Sequence, residues 1–408
     1  MPDLPSNARR QHAIDWLDAR ADSVQQSIVR WCYQNSWSSD LDGLVAMADL
    51  LEHDFAVLGL PCQRIELADW QSVGDDGNVT DHQTGPALLW HYHKGAARRV
   101  LLLIHYDTVY PPAQRPLSIS MTGTGQLIGP GVADAKGGIA VILYAVQALL
   151  RFDLAGDLGI SIMLNPDEEI GSPSSATLLR DLASEVDLAL VFEPTLPDGS
   201  MVANRKGTAN FTIVIRGRPA HAGRDPDQGR NAIVHAARLA TELDAWNQPG
   251  SRTTVNVGKI SGGGPLNQVP DLAILGVNIR VATNAAVGDV MARLSEIEQR
   301  YSAAQGFTCR IHGRFHSPPK CVDDDPRFDD LRRRVDAAAA HLGRVLQWRD
   351  TGGACDGNKL AAFGCPTVDT MGPTGGQLHS PAEYCDLATV VTAAKVLVHL
   401  IAEIGNGS

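Results

Sequence analysis

Three short apolar runs, each ending in or soon followed by a histidine or acidic residues, constrain the fold of this chain most strongly. The runs are RVLLLIH at 99–105, LGISIML at 158–164 and DLALVF at 187–192. Between them stand GGIAVILYAVQALLRF and SSATLLRDLAS, whose apolar spacing is helical. Buried strands that alternate with helices predict α/β units around a largely parallel sheet.

The pattern changes between residues 207 and 317. ANFTIVIRG, TTVNVGKI, DLAILGVNIRVA and FTCRIHGR read as strands, and two helical stretches separate them in the order β-α-β-β-α-β. This order is that of a ferredoxin-like α+β sandwich. We therefore predict a catalytic domain in two parts, residues 1–206 and 318–408, with residues 207–317 inserted between them.

Composition limits the classes of function. Aspartate and glutamate number 46 against 35 lysines and arginines, which gives a net charge of −11 and argues against a nucleic-acid or anionic-membrane surface. The first residues lack a signal-peptide pattern, and the seven widely spaced cysteines suggest neither disulfides nor a thiolate zinc site. A cytoplasmic location is expected.

Polar side chains follow the strands and gather in two later loops. In open α/β sheets, ligands bind beyond the carboxyl ends of the strands. The candidates placed there by the pattern are His105, Asp107, Asp134, Glu168, Glu169, Glu193 and, in the loop GPTGGQLHSPAEY, His379.

Each of these residues alone has an ordinary structural explanation, such as a helix N-cap, a solvated turn or a hydrogen-bonded histidine. Together, several carboxylates at neighbouring strand ends would repel one another unless a cation lay between them. Two histidines with three carboxylates suit zinc or a similar divalent ion. Two ions with a bridging hydroxide would balance the charge of those carboxylates, and such a site predicts hydrolysis.

Five motifs resemble the cocatalytic zinc metallopeptidases, the family that includes carboxypeptidase G, aminoacylase, acetylornithine deacetylase and succinyl-diaminopimelate desuccinylase. The motifs are HYDTV, GPGVADAKGG, DEEIGS, FEPT and HSPAEY, in the family order, with TGGACDGN as a further loop. The resemblance covers nearly all of the chain beyond residue 95. It implies a three-layer zinc-peptidase catalytic domain with an inserted ferredoxin-like lid and dimerisation domain.

The resemblance also implies roles for individual residues. Asp134 would bridge two metal ions, with His105 and Glu193 completing one site and Glu169 and His379 the other. Glu168 would be the general base, and Asp107 would hold His105 through its second ring nitrogen. The peptide bond from Asp134 to Ala135 would be cis. Two zinc ions per chain are expected, with cobalt or manganese as alternatives.

In the inserted domain, the resemblance implies that His221, Asn267 and Arg280 bind the substrate carboxylate and the transition-state oxyanion. His221 and Asn267 would reach across from the partner subunit of a homodimer. Arg314 falls where a second carboxylate-binding arginine would stand, although an arginine near a domain joint is as often a surface charge.

These features predict a dizinc hydrolase that cleaves an amide bond next to a free carboxylate, releasing an amino acid such as glutamate from an N-acyl or peptide substrate. The alternatives are an N-acyl-amino-acid deacylase, a hydrolase of catabolic amide conjugates, and a metal-dependent binding protein without turnover. Glu168 discriminates against the last, because only a hydrolase needs a base.

The remaining histidines are given no function. His91 and His93 read as an exposed strand end, and His312, His316, His341 and His399 lack acidic neighbours in the sequence. Arg205 and Lys206 are predicted to mark the hinge into the inserted domain.

Overall fold

The computed structural model describes residues 5–112, 119–323 and 325–406. Its helices are α1 (Ser6–Asp18), α2 (Ala21–Tyr33), α3 (Leu41–Phe55), α4 (Gly138–Arg151), α5 (Ala176–Glu185), α6 (Ala232–Asp244), α7 (Asn284–Ala303), α8 (Pro326–Ala340), α9 (Asp356–Ala362) and α10 (Leu387–Asn406). Its strands are β1 (Gln63–Ile65), β2 (Trp70–Val73), β3 (Val79–His82), β4 (Ala87–Tyr92), β5 (Arg99–His105), β6 (Ser120–Met121), β7 (Gln126–Ile128), β8 (Gly159–Asn165), β9 (Leu188–Val191), β10 (Met201–Arg205), β11 (Gly207–Arg216), β12 (Ala220–His221), β13 (Thr253–Gly262), β14 (Gln268–Val269), β15 (Leu272–Val281), β16 (Thr308–Ser317), β17 (Trp348–Thr351), β18 (Thr367–Val368), β19 (Gly375–Gly376) and β20 (Tyr384–Asp386).

A six-stranded sheet in the order β1-β4-β8-β5-β9-β18 forms the centre of the catalytic domain. Strands β8, β5, β9 and β18 run parallel, as the apolar runs predict, while β4 is antiparallel to β8 and β1 is antiparallel to β4. The antiparallel edge was not predicted, because a short apolar run does not encode its direction in a sheet.

Helices cover both faces of this sheet, so the domain has three layers. Val100, Leu102 and Ile104 of β5 belong to the larger apolar cluster, which includes residues of α1, α2, α4, α8 and α10. Leu101 and Leu103 point to the opposite face and pack in a smaller cluster with residues of α5 and α9. This alternation is expected of a strand that is buried on both faces.

The inserted segment forms an antiparallel four-stranded sheet in the order β13-β15-β11-β16. With α6 and α7 after β11 and β15, the chain order is β-α-β-β-α-β, as predicted. A separate apolar cluster, with members from Ala209 to Cys309, lies between the sheet and these helices. The bounds 1–206, 207–317 and 318–408 stay predictions, and we use "inserted domain" for residues 207–317.

Within the part of the chain that the structure describes, two segments are long and apolar enough to cross a membrane by length and composition, Val132–Arg151 and Leu387–Gly405. Their most apolar stretches are 94% and 61% buried in the protein. Both segments contribute to the larger apolar cluster, which explains their composition as that of core helices.

Candidate metal centre and active-site cavity

A first group of ligand-type side chains lies at the carboxyl end of strand β5. His105 Nε2 is 2.9 Å from Asp134 Oδ1 and 3.8 Å from Glu193 Oε1. All three side chains are buried, and one ligand atom from each lies within 4.8 Å of the others. This spacing suits three ligands around one ion.

A second group shares Asp134 with the first. His379 Nε2 lies 3.4 Å from Asp134 Oδ2 and 3.2 Å from Glu169 Oε2. The two oxygens of Asp134 therefore face different histidines, as a carboxylate between two ions would require. The structure thus brings the five predicted ligands together, and the peptide bond from Asp134 to Ala135 is cis.

Asp107 connects the first histidine to the turn that carries Glu168 and Glu169. His105 Nδ1 lies 3.2 Å from Asp107 Oδ1 and 3.1 Å from its backbone oxygen. The Asp107 carboxylate also accepts the backbone N–H groups of Glu168 and Glu169, each at 3.1 Å, and the Ser38 hydroxyl at 2.7 Å. Because the Nδ1 side of the ring is engaged, Nε2 remains free to face the carboxylates.

Glu383 has a supporting role that the sequence analysis missed. Its carboxylate accepts the backbone N–H groups of Gly131, Ala133 and Asp134, each at 3.0 Å, and the Tyr110 hydroxyl at 2.7 Å. This buried side chain therefore holds the loop that presents Asp134. Its position inside HSPAEY, four residues after His379, was the available signal.

The backbone at the start of helix α4 lies close to the backbone at the end of strand β9, and this contact places Asp134 beside Glu193. Helix α4 begins at Gly138, where a Cβ atom would lie 2.1 Å from the carbonyl oxygen of Phe192. Glycine is required there, because any side chain would push the helix away from the end of β9. The two glycines of ADAKGG therefore serve packing next to the site.

Burial and mutual repulsion shift the pKa values of the carboxylates in this cluster. Burial raises the pKa of Glu193 to about 8, and burial together with the Asp134 charge raises the pKa of Glu169 to about 7. Burial and the Glu193 charge raise the pKa of Glu168 well above its ordinary value. Such shifts mark carboxylates that lack a compensating cation.

The donor set fits divalent ions. Burial raises the pKa of Asp134, but hydrogen bonds from His105 and His379 outweigh it and leave that pKa lowered. Glu193 Oε1 is buried and has no hydrogen-bond partner among the described residues. An unpartnered carboxylate oxygen beside imidazole nitrogens is a suitable ligand for a metal ion such as zinc.

A cavity of about 520 Å³ opens onto both groups. Asp134, Glu168, Glu169, Glu193 and His379 line it on the catalytic side. The inserted domain forms the facing wall with Thr208, Asn210, Asn278, Arg280 and His316.

Arg280 is held in this wall by neighbouring groups. Its Nε donates to Asn278 Oδ1 at 3.2 Å, and one terminal nitrogen donates to the backbone oxygen of Gly352 in the loop TGGACDGN. A fixed guanidinium facing an acidic cluster across a cavity suits recognition of a carboxylate.

The other predicted substrate-binding residues lie outside this cavity. Arg314 is exposed and stands opposite Asn210 in the register of β11 and β16, which places it on the same face of the sheet. His221 and Asn267 are exposed and lie close together, since Ala222 N donates to the Asn267 oxygen at 2.8 Å. Neither contributes to the lining of its own chain's cavity.

Three expectations about other histidines need correction. His341 does have an acidic neighbour, because its Nε2 lies 2.8 Å from Glu403 Oε1. His316 lies in the cavity wall, in contact with residues distant in sequence. His91 is half-buried and its Nδ1 lies 2.9 Å from Ser161 Oγ, so it is less exposed than predicted.

Arg205, at the predicted hinge, is buried. Its Nε lies 3.0 Å from Asp369 Oδ2, and Lys320 Nζ lies 2.9 Å from the same oxygen. This cluster joins the first part of the catalytic domain to the second, and Arg205 also lines the cavity.

Sequence comparison relates the chain to known proteins. The profile of peptidase family M20/M25/M40 matches residues 101–403. The chain is 28% identical to carboxypeptidase G2 of Pseudomonas sp. (strain RS-16), over 91% of this chain and 86% of that protein. It is 26% identical to succinyl-diaminopimelate desuccinylase of Bordetella pertussis, over 86% of this chain and 94% of that protein. The predicted resemblance is confirmed.

Solved structures share the fold. A family M20 metallo-carboxypeptidase from Sulfolobus solfataricus superposes with a TM-score of 0.73 at 16% identity, covering 93% of this chain and 98% of that one. A dinuclear metal binding peptidase of the same family from Bacillus subtilis gives a TM-score of 0.66 at 14% identity, covering 95% and 99%. The predicted α/β fold class is therefore confirmed.

Proposed function

Because the chain belongs to peptidase family M20/M25/M40 and is a metal-dependent hydrolase, we propose that it cleaves an amide bond next to a free carboxylate, releasing an amino acid such as glutamate. One observation supports this most directly. The two ligand groups that share Asp134 and the guanidinium of Arg280 face one cavity from opposite sides.

Each chain would hold two divalent ions, zinc in our proposal, with cobalt or manganese as alternatives. His105, Asp134 and Glu193 would bind one ion, and Asp134, Glu169 and His379 the other. When bound, the ions supply a Lewis acid that polarises the scissile carbonyl and lowers the pKa of a water molecule. The dinuclear site named for the Bacillus subtilis neighbour supports this count.

Glu168 would act as the general base. It lines the cavity beside both ligand groups, and its backbone N–H is held by Asp107. In this role its carboxylate takes the proton of the attacking water and passes it to the leaving amine nitrogen. Burial and the Glu193 charge raise the pKa of Glu168, which makes its carboxylate a stronger proton acceptor than a free glutamate.

Arg280 would bind the free carboxylate of the substrate. Its contacts with Asn278 and Gly352 leave the guanidinium oriented before a substrate arrives, which lowers the entropic cost of binding. Arg314 would assist from the same face of the sheet.

We further propose a homodimer formed through the inserted domain. His221 and Asn267 are exposed and outside their own chain's cavity, so they would serve the partner's cavity if the two inserted domains pair. The Leu266 side chain beside them is fully exposed, as an interface residue would be in an isolated chain.

The runner-up function is deacylation of N-acyl amino acids, in which the acyl side decides acceptance. The similarity to succinyl-diaminopimelate desuccinylase favours this alternative, because that enzyme's name denotes removal of an acyl group. A hydrolase of catabolic amide conjugates and a binding protein without turnover are further alternatives.

The test combines elemental analysis with an amine-release assay on N-acyl amino acids and dipeptides that vary on both sides of the amide. Two ions per chain and release governed by the carboxyl-side residue, with glutamate preferred, would support the proposal. Release governed by the acyl group would favour the deacylase.

The control is Glu168→Gln, which removes the base and keeps the side-chain size. We expect it to retain metal and fold while turnover falls by about 10²- to 10⁴-fold. Near-normal turnover would remove Glu168 as the base. Bound metal without release from any substrate by the unmodified protein would favour a binding function.

A further inference from the structure

One buried carboxylate, Asp356, holds both ends of the turn that carries Glu168 and Glu169. Before the turn, Asn165 Nδ2 donates to Asp356 Oδ2 at 2.7 Å. After the turn, the Ser172 hydroxyl donates to Asp356 Oδ1. A single anchor at both ends limits how far the intervening backbone can move.

The counter-ion of this carboxylate is Lys359, which is also buried. Its Nζ lies 2.7 Å from Asp356 Oδ1, 3.1 Å from Ser172 Oγ and 3.4 Å from Ser317 Oγ. These three acceptors match the three N–H donors of an ammonium group. Burial alone would lower the pKa of Lys359, but the nearby carboxylates outweigh it and raise that pKa, so the side chain is charged.

Ser317 belongs to the other domain, as the last residue of strand β16. Its neighbour His316 occupies an irregularity in the pairing of β16 with β11 and packs directly on Gly171. A Cβ atom at Gly171 would lie 2.6 Å from His316 Nδ1, so the end of β16 is in close contact with the turn that carries Glu168 and Glu169. Bulges of this kind often redirect a side chain beside an active site.

The hydrogen bonds continue along this contact. An ammonium group can only donate, so Ser317 Oγ accepts from Lys359 and its own hydrogen is available for His316 Nδ1, 3.3 Å away. A continuous polar chain therefore runs from Asp356 through Lys359 and Ser317 to His316 in the cavity wall.

We propose that Lys359, paired with Asp356, is a positioning residue that ties the end of strand β16 to the turn carrying Glu168. A movement of the inserted domain is then transmitted to the base through Ser317 and Lys359. This inference deepens the proposed function and rests on it for the role of Glu168.

The test compares three variants that alter different parts of the connection. Ser317→Ala removes the contact on the inserted domain alone. Asp356→Asn combined with Lys359→Met removes both buried charges together, which avoids leaving one of them unpaired and keeps the variant able to fold. The third variant combines all three substitutions.

With a substrate that the unmodified protein cleaves, we expect Ser317→Ala to lower kcat about 5-fold and the charge-free double variant about 30-fold, with KM unchanged. The triple variant should be no slower than the double variant, because the effect of Ser317 passes through Lys359. Independent effects that multiply in the triple variant, or a change confined to KM, would overturn the inference.

A second measurement does not depend on turnover. Hydrogen exchange of the peptide 166–173 should be at least about 3-fold faster in Ser317→Ala than in the unmodified protein. Ser302→Ala is the matched control, because Ser302 also bonds strand β16, at Cys309, but far from the turn.

The two measurements separate this inference from the proposed function. Faster exchange in Ser317→Ala alone would support the connection even if no tested substrate were cleaved. Unchanged exchange, or equal acceleration by Ser302→Ala, would overturn the connection without bearing on the hydrolase activity.

Discussion

The substitution Glu383→Gln tests whether a residue outside the two ligand groups can control both predicted metal sites. Glu383 accepts hydrogen bonds from three backbone N–H groups and from Tyr110, all around the loop that carries Asp134. Glutamine has nearly the same shape, but its amide nitrogen cannot accept a hydrogen bond.

The magnitude follows from these contacts. At least one backbone N–H would lose its acceptor, which costs about 1 to 3 kcal/mol when the group is buried. The bonds that remain would no longer be made to a charged acceptor, which costs about 1 to 2 kcal/mol more. We expect a total loss of about 2 to 5 kcal/mol in the free energy of unfolding, and a 10- to 100-fold weaker affinity for both ions.

Urea denaturation of the metal-free protein measures the first quantity, and competition with a chelator measures the second. Glu242→Gln is the control, because Glu242 is bonded to Arg300 and Tyr301 in the inserted domain, away from the site. Its ion pair is partly exposed, so we expect a loss of less than about 1 kcal/mol. Unchanged metal affinity in Glu383→Gln, despite lower stability, would refute the idea that this carboxylate positions Asp134.

Three further predictions concern the ligands and the substrate. Asp134→Ala should weaken both metal sites together in a chelator titration; one ion retained at full affinity would exclude the bridging role. Arg280→Ala should lower kcat/KM by about 10²-fold or more for substrates with a free carboxylate and much less for amides lacking one, since a charge-assisted bidentate contact is lost; an equal loss on both would refute its role. In the folded metal-free protein the pKa of Glu169 is raised to about 7 and that of Glu193 to about 8, whereas both are about 4.5 in the unfolded chain. Above about pH 4.5 the folded protein therefore binds protons that the unfolded chain has released. Its urea midpoint should therefore fall between about pH 4.5 and 8, and saturating zinc should abolish this fall; a midpoint that is flat without metal would contradict it.

The sequence predicted those site residues whose positions are determined by the local apolar pattern and by the direction of the strands. His105 ends one buried parallel strand and Glu193 follows its neighbour, so the sheet itself brings them to one edge. His379 is different, because its loop has no strand pattern, and only the resemblance of HSPAEY assigned it.

The supporting residues could not be predicted, because their partners are distant along the chain. Glu383 bonds to Asp134 across 249 positions, and Asp356 bonds to Asn165 across 191. No periodicity connects such pairs, since tertiary packing alone brings them together. The place of His316 in the cavity wall likewise depends on an irregularity in strand pairing that the alternation of β16 does not reveal.

The division of the catalytic domain around the inserted domain has a consequence for biosynthesis. His105, Asp134, Glu169 and Glu193 precede residue 207, whereas His379 and Glu383 follow residue 317. A nascent chain can therefore form the local sheet of the inserted domain before the second ligand group is complete, because domains tend to fold as they emerge from the ribosome. In the proposed two-ion site, capture of the second ion would wait until His379, in the last tenth of the chain, has been translated, so hydrolysis would begin only on a nearly complete chain.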